Sequence, residues 1–305
     1  MTPTNQGSFR LARLLGIELY IHWSWFLVAY YGINQRMGRY HSPIWNVLEY
    51  LALFGVVLMH EFGHALACRQ VGGRADRIVL WPLGGVAYVD PPQRPGATLW
   101  SIVAGPLVNV ILLPTFLAIA WLMDRHGLTP SALNLRGLVQ AMIYINIGLL
   151  IFNLLPIYPL DGGQILRSLL WFVLGRAWSL MVATAIGLLG VAGLVLLAAL
   201  SRSLWLGIIA VFILMNCWRG LRQALHLIRL ARLPRRTECA CPQCGISPPI
   251  GALWICGHCR NPFDMFENQG ACPNCDVAFP ATRCLHCASN APLPAWTTPP
   301  PSEQQ

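Results

Sequence analysis

Val56-Val57-Leu58-Met59-His60-Glu61-Phe62-Gly63-His64-Ala65-Leu66 sets two imidazoles and a carboxylate inside a run otherwise apolar enough to enter a bilayer. On an α-helix, residues four apart stack on one face. The pattern His-Glu-x-x-His therefore aims both rings at one point and leaves Glu61 able to address a water beside a metal. Ionisable groups in hydrocarbon persist where they are paired or functional. Either these three are paired for packing alone, or they hold a zinc ion.

The chain around this segment stays apolar. Hydrophobic residues make up 55% of the 305 positions and charged residues 11%, and the mean hydropathy is +0.53. A soluble domain carries about a quarter charged residues, so the composition excludes one and indicates a polytopic membrane protein. Stretches able to cross about 30 Å of hydrocarbon lie at 19–33, 44–67, 97–123, 137–155, 178–200 and 204–218. A shorter apolar piece, 164–174, packs without spanning. The expected fold is all-α with about six transmembrane helices.

The arginines orient this array. Arg10 and Arg13 precede the first stretch, which lacks a small-residue cleavage pattern after its apolar run and reads as a retained span. With the N-terminus in the cytosol, Arg69, Arg74, Arg77 and Arg94 share one inner loop, Arg167 and Arg176 the next, and Arg219 to Arg236 follow the last span. The outer loops keep Arg36, Arg39, Arg125, Arg136 and Arg202, so the positive-inside bias places both termini in the cytosol. The expected location is the bacterial or archaeal cell membrane, with His60 and His64 near the cytosolic end of their helix.

A catalytic zinc takes three protein ligands and keeps one position open. Acids are scarce, and Asp161 stands out in Phe152-Asn153-Leu154-Leu155-Pro156-Ile157-Tyr158-Pro159-Leu160-Asp161-Gly162-Gly163, at the end of the fourth span. Pro156 and Pro159 interrupt the helix there, and interrupted backbone at membrane depth is tolerated where it lines a cavity. Asp161 is then either a third ligand or the cap of the helix that follows.

These paired motifs, His60-Glu61-Phe62-Gly63-His64 with Asn153 and Pro156-x-x-Pro159-Leu160-Asp161-Gly162-Gly163, resemble the site-2 protease family of intramembrane zinc metalloproteases. Ala104-Gly105-Pro106-Leu107-Val108-Asn109 resembles the intervening core helix of that family, and Trp81-Pro82-Leu83-Gly84-Gly85-Val86-Ala87 the segment after its zinc-binding helix. The resemblance covers roughly residues 10–220. It implies that His60, His64 and Asp161 bind zinc, that Glu61 is the general base, and that Asn153 holds substrate or a developing oxyanion. It further implies hydrolysis of a peptide bond in or near the transmembrane segment of a single-span membrane protein. A non-catalytic zinc-binding membrane scaffold is the other reading.

Residues 77–89 combine strand formers with a Gly-Gly turn signal and read as a small membrane-associated β-hairpin close to the zinc helix. Its edge either pairs with unwound substrate by strand addition or is merely structural. His22 either lines the entrance to the site or belongs to an interfacial aromatic belt.

After Arg236 the composition changes. Cys241-x-x-Cys244, Cys256-x-x-Cys259, Cys272-x-x-Cys275 and Cys284-x-x-Cys287 are four knuckles whose order suggests two successive four-cysteine zinc ribbons, the units beginning at Cys241 and Cys272. Their zinc is structural, since so little apolar material leaves folding dependent on metal. Cys239, Cys68 and Cys217 are spare. Two such sites, each carrying −2, bring the formal charge of +9 to about +5. The remaining arginines anchor the chain to anionic lipid, so no nucleic acid is expected and the ribbons are read as a docking site for a cytosolic protein. The expected organisation is a membrane metalloprotease domain over 1–236, tandem ribbons over 237–290 and a disordered tail over 291–305.

Overall fold

The computed structural model describes residues 7–36, 38–81, 84–125, 130–287 and 289–296. Its internal contacts divide the chain into two units, Met1–Arg222 and Gln223–Gln305. The first holds the membrane-embedded array.

Strands β1 (Ser8–Leu14) and β2 (Ile17–His22) lead into α1 (Ser24–Gln35), followed by the metal-motif helix α2 (Pro43–Gln70). Then come β3 (Arg74–Trp81), β4 (Gly84–Asp90) and helices α3 (Pro95–Arg125), α4 (Pro130–Leu154), α5 (Asp161–Ser201) and α6 (Leu204–Arg232). Among the described residues five helices, α2 to α6, are long and apolar enough to cross a membrane. The protein is thus a multi-pass membrane protein, predominantly helical.

The first expected span is not one helix. Its apolar run begins in β2 and ends in α1, whose 12 residues reach only about 18 Å. Two sets of contacts show where this segment starts and stops. At one end of α2, the Arg69 guanidinium donates to the carbonyls of Leu15 (2.5 Å) and Gly16 (3.1 Å). At the other, Arg36 and Arg39 pair with the buried carboxylate of Glu49, which also accepts from the Tyr40 hydroxyl at 2.7 Å. Glu49 and Arg69 are about 30 Å apart along α2, so β2 and α1 together cover that distance, half as strand and half as helix.

The strand half is possible because β2 is flanked on both sides. The sheet order is β1-β2-β3-β4, with β2 parallel to β3 and the outer pairs antiparallel, so the main chain of β2 finds partners that a bilayer would not supply. The expected hairpin is the β3–β4 half of this larger sheet. One face packs on α2: Ile17 and Leu19 from β2 and Ala75, Ile78 and Leu80 from β3 are buried with Val57, Ala65 and Cys68. A register shift between Ala75 and Arg77 explains why the buried positions of β3 change parity along the strand.

Helix α5 breaks at Gly175, whose φ of 74° is outside helical geometry. The arm before the break is the short apolar piece expected not to span, and the arm after it is the long one.

In the second unit, two-stranded ladders β5 (Trp254–Ile255) with β6 (Pro262–Phe263) and β7 (Ala281–Arg283) with β8 (Asn290–Pro292) accompany the knuckles. The contact division falls at Arg222, within α6, where composition alone places a boundary at Arg236. The segment after α6 pairs with the knuckle region: Ile250 N–H donates to the Pro234 carbonyl (2.8 Å) and Arg236 N–H to that of Pro248 (3.0 Å). The tail read as disordered from 291 is ordered through Trp296, because Ala291 and Pro292 pair with β7 and the Trp296 ring is buried edge-on against Phe266. The rest of that tail, 297–305, is outside the described residues.

Candidate metal centre

His60 and His64 sit on one face of α2, 5% and 8% exposed. Their Nε2 atoms are 3.1 Å apart, and Oδ2 of Asp161 lies 3.0 Å from the first and 3.4 Å from the second. Ligand atoms around a tetrahedral zinc, with bonds of 2.0–2.1 Å, are about 3.4 Å apart. The triangle is therefore close to the size a metal requires.

Hydrogen bonding on the far side of each ring makes the same point chemically. His64 Nδ1 faces the Ser101 carbonyl at 2.9 Å, which can only accept, so Nδ1 carries a proton and, in the neutral ring, Nε2 the lone pair. His60 Nδ1 lies 2.6 Å from Oδ1 of Asn109. In their neutral forms the two rings thus turn lone pairs towards one carboxylate oxygen, and the three donors converge on a single point. The donor set fits zinc.

Asp161 comes to this point because the helix before it ends early. The chain leaves α4 at Leu154, passes Pro156 and Pro159, and begins α5 at Asp161 with Leu160 as the capping residue, which makes no side-chain cap. Asp161 therefore does not cap α5; its carboxylate points to the imidazoles instead.

Helix α3 contributes three features whose roles the sequence alone does not disclose. Gly105 lies so close to α2 that a Cβ there would come within 2.2 Å of His64 Nε2, so only glycine leaves space for the rings. Pro106 lies within α3; its missing N–H leaves the Ile102 carbonyl without its ladder donor, one residue after Ser101, whose carbonyl accepts from His64. Asn109 and its partner Asn146, on α4, are both wholly buried. The available signal was an asparagine in each of two apolar spans, a costly residue there without a partner.

Glu61, 6% exposed, accepts a hydrogen bond at 2.8 Å from the Ala87 N–H. Ala87 lies on β4, the outer strand of the sheet, opposite Ile78. Gly85, two residues earlier, abuts the Glu61 side chain, where a Cβ would clash at 2.3 Å. The edge of β4 thus runs past the carboxylate. Asn153 is half-buried in the last turn of α4 and makes no side-chain hydrogen bond among the described residues. His22 is outside the converging set: its ring stacks on Trp81 at 4.2 Å, and Nδ1 is 2.5 Å from Ser24 Oγ.

The eight knuckle cysteines form two groups, but not the successive ones expected. Cys241 and Cys244 meet Cys284 and Cys287, while Cys256 and Cys259 meet Cys272 and Cys275. One site is nested inside the other. Sulfur separations of 3.7 and 3.8 Å in the outer group, and 3.6 Å twice in the inner, suit a tetrahedral zinc, for which about 3.8 Å follows from 2.3 Å bonds. The physical reason for nesting is the apolar material between the knuckles. Trp254, Phe263 and Met265 bury themselves with Cys256 and Cys272, drawing the middle knuckles together, and Trp296 with Ala291 draws the last knuckle to the first.

Local donors favour a thiolate at particular cysteines of each group. Burial opposes ionisation of Cys241, but the Ser289 hydroxyl and the N–H groups of Cys244 and Gln243 outweigh it and lower its pKa to about 6. The Asn274 side chain and the Asn261 N–H lower Cys259 to about 6. Burial pushes Cys239, which lies outside both groups, up, as it does Cys244 and Cys284 within the outer group.

A profile of peptidase family M50 matches residues 49–129 and 129–197, which contain His60, His64 and Asp161. The zinc metalloprotease MJ0392 of Methanocaldococcus jannaschii is 33% identical over 210 residues, 68% of this chain and 58% of that protein. Stage IV sporulation protein FB of Bacillus subtilis is 33% identical over 118 residues, 38% of each chain. This chain therefore spans less than two thirds of either relative. The solved structure of the site-2 protease from Methanocaldococcus jannaschii superposes with a TM-score of 0.52 at 29% identity, covering 70% of this chain and 95% of that one.

Proposed function

Because the chain belongs to peptidase family M50, we propose that it is an intramembrane zinc metalloendopeptidase of the site-2 type, hydrolysing a peptide bond in or near the transmembrane segment of a single-span membrane protein. The observation that carries the reading is the convergence of His60, His64 and Asp161 on one point, with the Glu61 carboxylate on the next position of the same helix.

Zinc, when bound, supplies Lewis acidity that polarises a carbonyl and acidifies water. The protein's own groups do the rest. Glu61 takes a proton from the attacking water and returns it to the leaving nitrogen, a role that requires a carboxylate close to both. Asn153, uncommitted to other side chains, donates to the oxygen on which negative charge develops. Gly105 and Gly85 keep side chains out of the space the substrate backbone enters.

A helical substrate hides its peptide bonds in its own hydrogen bonds and has to be unwound. The outer edge of β4, which runs past Glu61, takes up the unwound segment by strand addition. Proline substitutions over Val86–Val89 test this: unchanged cleavage of a helical substrate would end the idea. Both termini lie in the cytosol of a bacterial or archaeal cell, with β2 and α1 making the first of six crossings. The nested ribbons dock a cytosolic protein.

The deciding experiment compares wild type with Glu61→Gln on a single-span substrate. Processing by wild type alone supports the protease; equal processing by both leaves a zinc-binding scaffold.

A further inference from the structure

Asn109 and Asn146 are the two wholly buried asparagines of the helix array, and their hydrogen bonds join the main chain of α3 to a ring of the metal centre. Three distances define the chain: Asn146 Nδ2 to the Asn109 carbonyl, 2.8 Å; Asn109 Nδ2 to Asn146 Oδ1, 2.8 Å; Asn109 Oδ1 to His60 Nδ1, 2.6 Å.

The direction of every one of these bonds follows from the first. A main-chain carbonyl can only accept, so Asn146 must present its NH2 to it and turn its Oδ1 towards Asn109. Asn109 must then donate with Nδ2, which leaves its own Oδ1 facing His60. An amide oxygen accepts, so His60 must donate Nδ1–H, and the neutral ring then has its lone pair on Nε2, the atom facing His64 and Asp161.

We infer that Asn109 and Asn146 are positioning residues that lock the tautomer and ring orientation of His60 for metal binding, with Asn146 setting the polarity of Asn109. The inference rests on the reading of His60, His64 and Asp161 as zinc ligands. His64 obtains the same tautomer from the Ser101 carbonyl in one step; His60 needs two asparagines. The relay also ties α4 to the α2–α3 pair at the depth of the centre. Removing an outer partner of this kind from a metal-bound histidine commonly lowers metal affinity about 10–100-fold.

The test uses the full-length protein in detergent and measures zinc directly. Wild type should hold three zinc ions, one for each of its ligand groups, and His60→Ala two; the ion lost marks the membrane centre. Titration with a competing chelator should then show Asn109→Leu releasing that ion about 10–100-fold more readily, with the two ribbon ions unchanged. Asn109→Asp, which retains an acceptor for Nδ1–H, should bind as wild type. Asn146→Leu should show a smaller loss, because the Asn109 amide is then free to turn. Wild-type affinity in Asn109→Leu, or a loss in Asn109→Asp as large as in Asn109→Leu, would overturn the relay. A wild-type content of two ions would overturn the ligand assignment itself, and the relay with it.

Discussion

The proposed membrane centre and the ribbon sites would hold metal by opposite means. In the membrane, the three donors are carried on packed helices, and Asp161 is 101 positions from His60. Helix packing, the Ser101 carbonyl and the buried asparagines would hold the donors in place with or without an ion. In the ribbons, each pair of donors sits on a short turn, the ladders are two or three residues long, and sulfur atoms form part of the apolar core itself. The lesson is that a metal can be a guest in one part of a chain and a structural core in another.

Stripping zinc probes that contrast most strongly. Structural zinc contributes about 10–16 kcal/mol to the folding of small zinc modules. Chelation should therefore open residues 237–296 to protease while the helix array keeps its helical circular dichroism. Equal resistance of both regions would break the comparison.

Glu61→Gln comes next. Loss of a general base costs about 10²–10⁴-fold in rate, and because glutamine is close in shape, the zinc content should not change. Activity measured together with metal analysis separates chemistry from metal binding.

Gly105→Ala should act through geometry. The added methyl collides with His64 Nε2, and a displacement of about 1 Å at a catalytic group can cost about 10²-fold. The same substitution at the exposed Gly245 of the first knuckle turn, where φ is +69° and a Cβ meets nothing, should leave cleavage unchanged; a matching loss would contradict the assignment of Gly105 to the centre.

The smallest effect lies in the ribbons. Burial works against the Asp264 carboxylate, yet the Gly251 N–H, the Arg236 guanidinium and the N–H groups of Glu267 and Phe266 outweigh it and lower its pKa. A lowered folded pKa stabilises above the unfolded value of about 3.9 and ceases to do so as pH falls through the folded one. Asp264→Asn should cost about 1.5 kcal/mol at pH 7, read by denaturant unfolding of the ribbons. That deficit should shrink below about pH 4, where wild type loses the same charge. A constant deficit would mean that its origin is packing.

Much of the centre is legible in the chain because its signals are local or chemically scarce. His60, Glu61 and His64 share one helical repeat, and Asp161 follows two prolines in a chain with few acids. The first expected span reads as a single helix because Leu19 to Ile33 is largely apolar, and an apolar run of that length does not distinguish a buried strand followed by a short helix from a single span. The roles of Asn109 and Asn146 are hidden for a related reason: a polar residue in a span looks the same whether it joins two helices or orients a ligand.

Spacing alone determined which donors act together when they are close in sequence. A four-residue step on a helix and a Cys-x-x-Cys turn each permit essentially one geometry. Which distant donors share an ion was decided only in three dimensions. Four knuckles of equal spacing can be paired successively, nested or interleaved, and burial of Trp254, Phe263 and Trp296 selected nesting. Likewise the lone pair of His60 depends on a carbonyl of α3 reached through α4, a partner that only close packing of the helices brings within reach.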